Sequence, residues 1–290
     1  MSDFLQYVFS GLTSGSIYAL AALGFTIIFN ARNVVNFAQG SFLMLGGMIT
    51  AALITAKVPL PFAVTAATVI TVIIGGLVQR LAIAPVKDAD PVNLVIITIG
   101  ASIFIDGIAA VVFGKNQHMV PAFSGDHAIH ILGATLLPQS VWVMATAAVL
   151  MAGVSWYFRA TLSGKAMRAV SINSNAASLV GIRPDRTVLV AFGLSAFLGA
   201  MAGAVASPIT TTVFDIGLLL GLKGFVGATF GGLGSAVGAV VGGILVGLFE
   251  SLVAGYISTS YKDAVPFVLI IGILICRPQG LFGSRVLDRV

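Results

Sequence analysis

The sequence predicts an all-α, polytopic membrane protein of about eight transmembrane helices plus a re-entrant or broken helix, and three observations carry that expectation. Hydrophobic residues fill 58% of the 290 positions, against 15 Lys and Arg and 10 Asp and Glu. That is about a third of the charge density usual in soluble proteins, too little to cover a water-soluble core, and it excludes a soluble globular enzyme. The charge-free runs, such as Phe4 to Ala31 and Thr187 to Phe214, are long and continuously apolar. They have the length a membrane helix needs and lack the in-out alternation of a barrel strand.

The first run gives a span over 6–30. It has no basic stretch before it and exceeds the roughly 7–15 apolar residues of an export signal, so it reads as a retained helix. Spans follow near 35–56, 59–80, 92–113, 138–159, 187–211, 235–256 and 263–276. The loop between the fifth and sixth holds Arg159, Lys165, Arg168, Arg183 and Arg186, five of the fifteen basic residues, and so is assigned to the cytoplasm. Counting back places Arg80, Lys87 and Arg32 inside, Lys57 and Lys115 outside, and the N-terminus outside. Counting forward, eight simple spans would leave Arg277, Arg285 and Arg289 outside, against the rule. The segment 216–231 restores the parity if it dips into or crosses the membrane before the turn Gly231-Gly232-Leu233-Gly234-Ser235. Broken segments of this kind often mark transport sites. Lys223 at its centre keeps a plain loop open as the other reading.

Within the membrane, Gly231, Gly234, Gly238, Gly242, Gly243 and Gly247 repeat a small residue at helical spacing, which lets backbones pack closely. Glu250 shares the face of Gly243 and Gly247 and is expected to point at protein, in a structural or interfacial role. Asp106 continues a polar stripe with Thr98 and Ser102, and an intramembrane carboxylate is a functional candidate. Asn33, Asn36, Gly40 and Gly47 fall on one helical face with Gln39 nearby, suited to lining an aqueous passage or to capping a broken helix. A cytoplasmic turn with an N-cap is the competing reading of that cluster.

The loop after the fourth span carries His118, Asp126, His127 and His130, too few ligands at too loose a spacing for zinc, and reads as solvated with no metal site. Cys276 has no intrachain partner. There is no G-x4-G-K-[ST] motif, and no redox, haem or nucleophile signature either. Energy for transport must then come from a gradient or from a separate ATPase.

The segment 160–186 reads as short helical pieces, with Asn173 or Ser174 as N-cap of a helix to Val180 and Gly181 as its left-handed stop. A two-turn helix of this kind is marginal alone, so a partner surface is expected, with Ala176, Ala177 and Ser178 fitting a socket. Here Gly164-x-x-Met167-Arg168-Ala169, followed by Asn173-x-x-Ala176 and Gly181-Ile182, resembles the ATPase-contacting loop of ABC importer permeases of the branched-chain amino acid family. The opening Gly15-Ser16-Ile17-Tyr18-Ala19-Leu20 and Asn36-Phe37-Ala38-Gln39-Gly40 is similar to that family too. So are Lys223-Gly224-Phe225, Glu250, Tyr261-Lys262-Asp263 and Pro278-x-Gly280-Leu281-Phe282-Gly283, and the arrangement looks like the shorter, H-type permease subunit.

The resemblance implies a single permease domain over 1–290 with the ABC importer permease fold of the branched-chain amino acid and ribose type. It implies multi-pass insertion in the bacterial cytoplasmic (inner) membrane, and importing branched-chain or related amino acids. It implies a second permease, sister chain or copy, two cytoplasmic ATPases that bind ATP and Mg, and an extracytoplasmic binding protein. The chain itself would be no enzyme, hold no cofactor and contact lipid but no nucleic acid. Arg168, Asn173, Ala176, Ala177, Gly181 and Ile182 would couple to the ATPase, and Asn33, Asn36, Gln39 and Asp106 would line the path. Relatives often carry His-Gly-Glu at Gln39-Gly40-Ser41 and Gln at Asp106, so a urea or short-amide permease of the same family is an alternative. A gradient-driven transporter using Asp106 or Glu250 is the alternative from another class.

Overall fold

The computed structural model describes residues 2–86, 89–125, 127–131 and 133–283. Lys87, Asp126, Arg285 and Arg289, invoked above, lie outside the described residues. The chain forms α1 (Ser2–Arg32), α2 (Gln39–Thr55), α3 (Leu60–Val78), α4 (Pro91–Phe113), a hairpin of β1 (Ile129–Ile131) and β2 (Ala134–Leu136), then α5 (Pro138–Ala160). After these come α6 (Leu162–Ile172), α7 (Ser174–Leu179), α8 (Pro184–Thr210), α9 (Ile216–Gly231), α10 (Ala236–Tyr256) and α11 (Val265–Cys276). Prolines stand in the first turn of α3, α4, α5, α8 and α11, where their missing N–H costs nothing and their fixed φ favours the helix.

Among the described residues, seven helices are long and apolar enough to cross a membrane: α1, α3, α4, α5, α8, α10 and α11. In this count α3 includes a wide turn and a tight turn that carry it to Val86, and α11 includes the tight turn Thr259–Ala264 before it. The expected second span, 35–56, is the helix α2, which begins only at Gln39 and has 17 residues. At 1.5 Å per residue that is about 25 Å, short of a roughly 30 Å hydrocarbon layer. The segment 216–231 is the helix α9, of 16 residues, which removes the plain-loop alternative.

Helix α1 is the axis of the bundle. Every residue from Gly15 to Ile28 is buried, with α10, α8, α9 and α5 packed around it. The helices α3, α4, α5 and α11 turn large apolar side chains outward, among them Phe62, Ile73, Ile103, Phe104, Trp156 and Ile275. In water such faces would aggregate, whereas against lipid tails they are at rest.

One end of the bundle collects α6, α7, the turn after α9, and residues 278–283. Leu281 and Phe282 donate backbone hydrogen bonds to the carbonyls of Phe230 and Gly231, and Asn30 Nδ2 donates to that of Gly234. The opposite end holds the N-terminus and the β-hairpin, joined where Thr135 N donates to Gln6 Oε1 at 2.7 Å. The expected solvated loop before α5 is therefore only partly so. His127 and His130 are exposed, but the backbone of His118 pairs with Thr212 in both directions, at 2.9 and 3.0 Å. Val120 is buried, and Gln139 ties Phe123 N to the carbonyl of Val205.

Candidate functional site

Two chain breaks meet inside the bundle. Residues 33–38, between α1 and α2, are not helical, and Asn33 sits in the left-handed region at φ 58°. Asn36 Oδ1 accepts from Ala38 N at 3.2 Å, and Thr98 Oγ1 accepts from Phe37 N at 3.1 Å. These side chains satisfy backbone donors that a helix would have used, so the helix starts only at Gln39. Asn33 and Asn36 thus do not share a helical face with Gly40 and Gly47; they precede that helix. The second break, between α8 and α9, runs from Thr211, at φ 51°, to Asp215, the N-cap of α9.

Gln39 is fully buried. Its Nε2 donates to the carbonyl of Ser195 at 3.2 Å, and Ser195 Oγ donates to its Oε1 while lying 3.1 Å from the carbonyl of Gly24. Asn36 is equally buried, and neither side chain borders open space in this conformation. Asn33 is exposed. The first turn of α2 also carries Ser41, whose hydroxyl donates to Asp106 Oδ1 at 2.7 Å and lies 2.8 Å from Ser102 Oγ. A carboxylate thus rests against the N-terminal turn of α2, where the helix dipole favours negative charge. Asp106 is half-buried on α4.

The two broken helices cross here. A Cβ on Gly40 would collide with the carbonyl of Gly217, and one on Gly221 would come within 2.9 Å of Gly40 Cα. Only glycine permits this approach. The repeated glycines of α10 serve the same end further along: Gly243 lies against Ala19 of α1 and Gly227 of α9, Gly247 against Gly15, and Gly238 and Gly242 against Gly231. Gly234 differs from the rest, since its φ of 92° makes it a turn residue.

A charged cluster joins α9, α10 and the turn before α11. Lys223 Nζ donates to Glu250 Oε1 and to Asp263 Oδ1, both at 2.7 Å, and stands 5.5 Å from the centre of the Tyr18 ring. Lys223 and Glu250 are buried, while the Asp263 side chain is half exposed. An isolated ammonium in this interior would be costly, and the two carboxylates offset it. These partners, which let Lys223 stay charged in the interior, lie 27 and 40 residues away in sequence.

At the far end, α6 and α7 form the loop between α5 and α8. Thr161 Oγ1 caps α6 by accepting from Gly164 N, and Asn173 Oδ1 caps α7 by accepting from Ala176 N at 2.9 Å. Gly181, at φ 86°, ends it. Arg168 and Ala176 are exposed and Ile182 is half-buried, but Ala177 is buried within the chain and has no surface left for a socket. The large apolar residues this segment exposes are Leu162, Ile172, Leu179 and Val180, at 83%, 85%, 89% and 76%. Composition concealed them, because the segment reads as small and polar.

The family model described as the permease component of the branched-chain amino acid transport system matches residues 7–274. The high-affinity branched-chain amino acid transport system permease protein LivH of Escherichia coli K12 is 32% identical over 303 residues, covering 99% of this chain and 98% of that protein. Its counterpart BraD of Pseudomonas aeruginosa is 30% identical over 302 residues, covering 99% and 98%. Among solved structures the chain is similar to PsaBC from Streptococcus pneumoniae in complex with Fab, at 12% identity and a TM-score of 0.49, covering 94% of this chain and 90% of that one.

Proposed function

The chain belongs to the branched-chain amino acid transport permease family and is a membrane permease subunit of an ATP-binding cassette importer; from that premise we propose that it carries leucine, isoleucine, valine or a related amino acid inward. The observation that carries the energy-coupling part is the exposed apolar surface of Ile172, Leu179 and Val180 on two capped helices at one end of the bundle. Burying each such side chain against a partner gains about 1.5–3 kcal/mol, and a free chain has no reason to hold them out. A cytoplasmic ATPase is the partner assigned to this surface, with ATP and Mg bound there and not in the permease.

The basic residues of the loop favour a cytoplasmic side for α6 and α7. Residues 278–283 then lie on the same side, and the N-terminus and β-hairpin face outward, where a binding protein would deliver substrate. ATP-driven closure of the ATPase pair would pull on α6 and α7 and rock the helices that meet at Gly40, Gly217 and Gly221. A second permease, sister chain or copy, completes the pathway. Of the path residues, Asn33 and Asp106 have the exposure to meet substrate, whereas Asn36 and Gln39 hold the break in shape. Pairing with Lys223 leaves Glu250 a structural role, which disfavours it as the proton site of a gradient-driven carrier.

The test is co-expression with the cognate ATPase and purification through a tag on this chain. Wild type should retain the ATPase, and Leu179→Asp should lose most of it while the permease stays folded. Retention unaffected by Leu179→Asp and Ile172→Asp together would remove the loop from the coupling role.

A further inference from the structure

Beside the coupling loop, a cleft of about 340 Å³ opens between α5, α6 and the start of α10, with α1 as its floor. Two arginines line it, Arg159 from the end of α5 and Arg168 from α6. Neither has an ion-pair partner among the described residues. The 21-residue helix α10 also begins at this cleft, with Ser235, Ala236 and Val237 on its wall. Ser235 Oγ accepts from Gly238 N, which leaves the N–H groups of Ala236 and Val237 outside the helical ladder. On the floor, Thr26 is 1% exposed and its hydroxyl has no hydrogen-bond partner among the described residues.

Each of these features on its own has an ordinary explanation, but their convergence does not. Two cations, two unsatisfied backbone donors at the positive end of a long helix, and an orphaned hydroxyl make a donor set with too little to accept it. We infer that this cleft binds a phosphate group. The forked donors of arginine match phosphate geometry, and a helix N-terminus favours its charge. The cleft volume exceeds what a bare phosphate fills, and Ile27, Phe158 and Val237 supply apolar walls beside the charged mouth. Trp156, one turn before Arg159 and 65% exposed, is a residue type that settles at the membrane interface, which puts the arginines at headgroup depth. Phosphate chemistry at that depth has two sources, the headgroup of an anionic phospholipid or a soluble phosphate. Because Arg168 belongs to α6, occupancy would brace the coupling loop from inside, and this does not depend on the transported substrate.

The full chain, purified in mild detergent, separates the two sources. Native mass spectrometry after exchange into equal dioleoyl phosphatidylglycerol and phosphatidylcholine should show about tenfold preference for the anionic lipid, lost in Arg159→Gln and reduced but not lost in Arg159→Lys, which keeps the charge without the fork. If inorganic phosphate raises the melting temperature of delipidated protein and Arg159→Gln abolishes the rise without any lipid preference, the occupant is a soluble phosphate. The wild-type melting temperature without ligand, matched by the variant, shows that Arg159→Gln folds. Where it does not match, Thr26→Val, which keeps the volume, supplies the comparison and should reduce the same binding severalfold. Absence of both lipid preference and phosphate stabilisation, or persistence of either in Arg159→Gln and Thr26→Val, would overturn the site.

Discussion

Lys223 sets the energetic stakes at the scale of single residues. With Glu250 it forms a buried ion pair, and Asp263 takes a second of its three protons. Lys223→Met strands the Glu250 carboxylate and should destabilise the protein by about 3–5 kcal/mol, read as thermal unfolding in detergent. Lys223→Met with Glu250→Leu should recover most of that loss, because neither charge is then left unpaired. Recovery would mark the pair as a structural fastener, and continued loss with failed transport would return Glu250 to the functional candidates. Ser195→Ala removes the donor to Gln39 Oε1 in a fully buried place. It should cost about 1–3 kcal/mol, the penalty for a stranded polar group, measured in the same way. Neither contact is legible in the sequence. Glu250 was readable as protein-facing from its glycine neighbours, but the partner of a buried polar group on another helix leaves no periodic trace along the chain.

Elements were far more legible, for a physical reason. The bilayer fixes the length of an apolar run, so spans such as 92–113 and 138–159 fall within a residue of α4 and α5. Their ends shift where side chains compete with the backbone: α2 starts at Gln39 because Asn36 and Thr98 take its would-be donors, and α8 starts earlier than expected because Pro184 opens it. The hairpin before α5 is not legible in the sequence, since three-residue strands carry too little pattern to read. Close packing at the helix crossing makes a sharp contrast between two glycines. Gly40→Ala drives a methyl into the carbonyl of Gly217, whereas at Gly100 a methyl meets nothing within 4 Å. The first should lower the melting temperature, by a strain of about 1–3 kcal/mol. The second should leave it unchanged or raise it, by up to about 1 kcal/mol of helix propensity. Between α6 and α7, Asn173→Ala removes the cap of α7 at a cost of about 1 kcal/mol, which should show first as faster amide exchange at Ala176 and Ala177.

The whole molecule is an importer permease whose buried frame is α1, α2, α8, α9 and α10, with lipid-facing helices around it. One end of the bundle gathers the basic loop with α6 and α7, and there the 278–283 segment closes over the turn after α9 through backbone hydrogen bonds. Transport on this account needs relative movement at the α2–α9 crossing, driven from the exposed apolar residues of the loop. On this reading a partner's ATP hydrolysis powers the movement. This is tested most directly by measuring ATP turnover of the reconstituted permease–ATPase assembly in vesicles, with binding protein loaded with leucine, isoleucine or valine. Loaded binding protein should stimulate hydrolysis severalfold, uptake into the vesicle lumen should follow it, and Leu179→Asp should remove both. Uptake that proceeds without ATPase and follows an imposed proton or sodium gradient would contradict that reading.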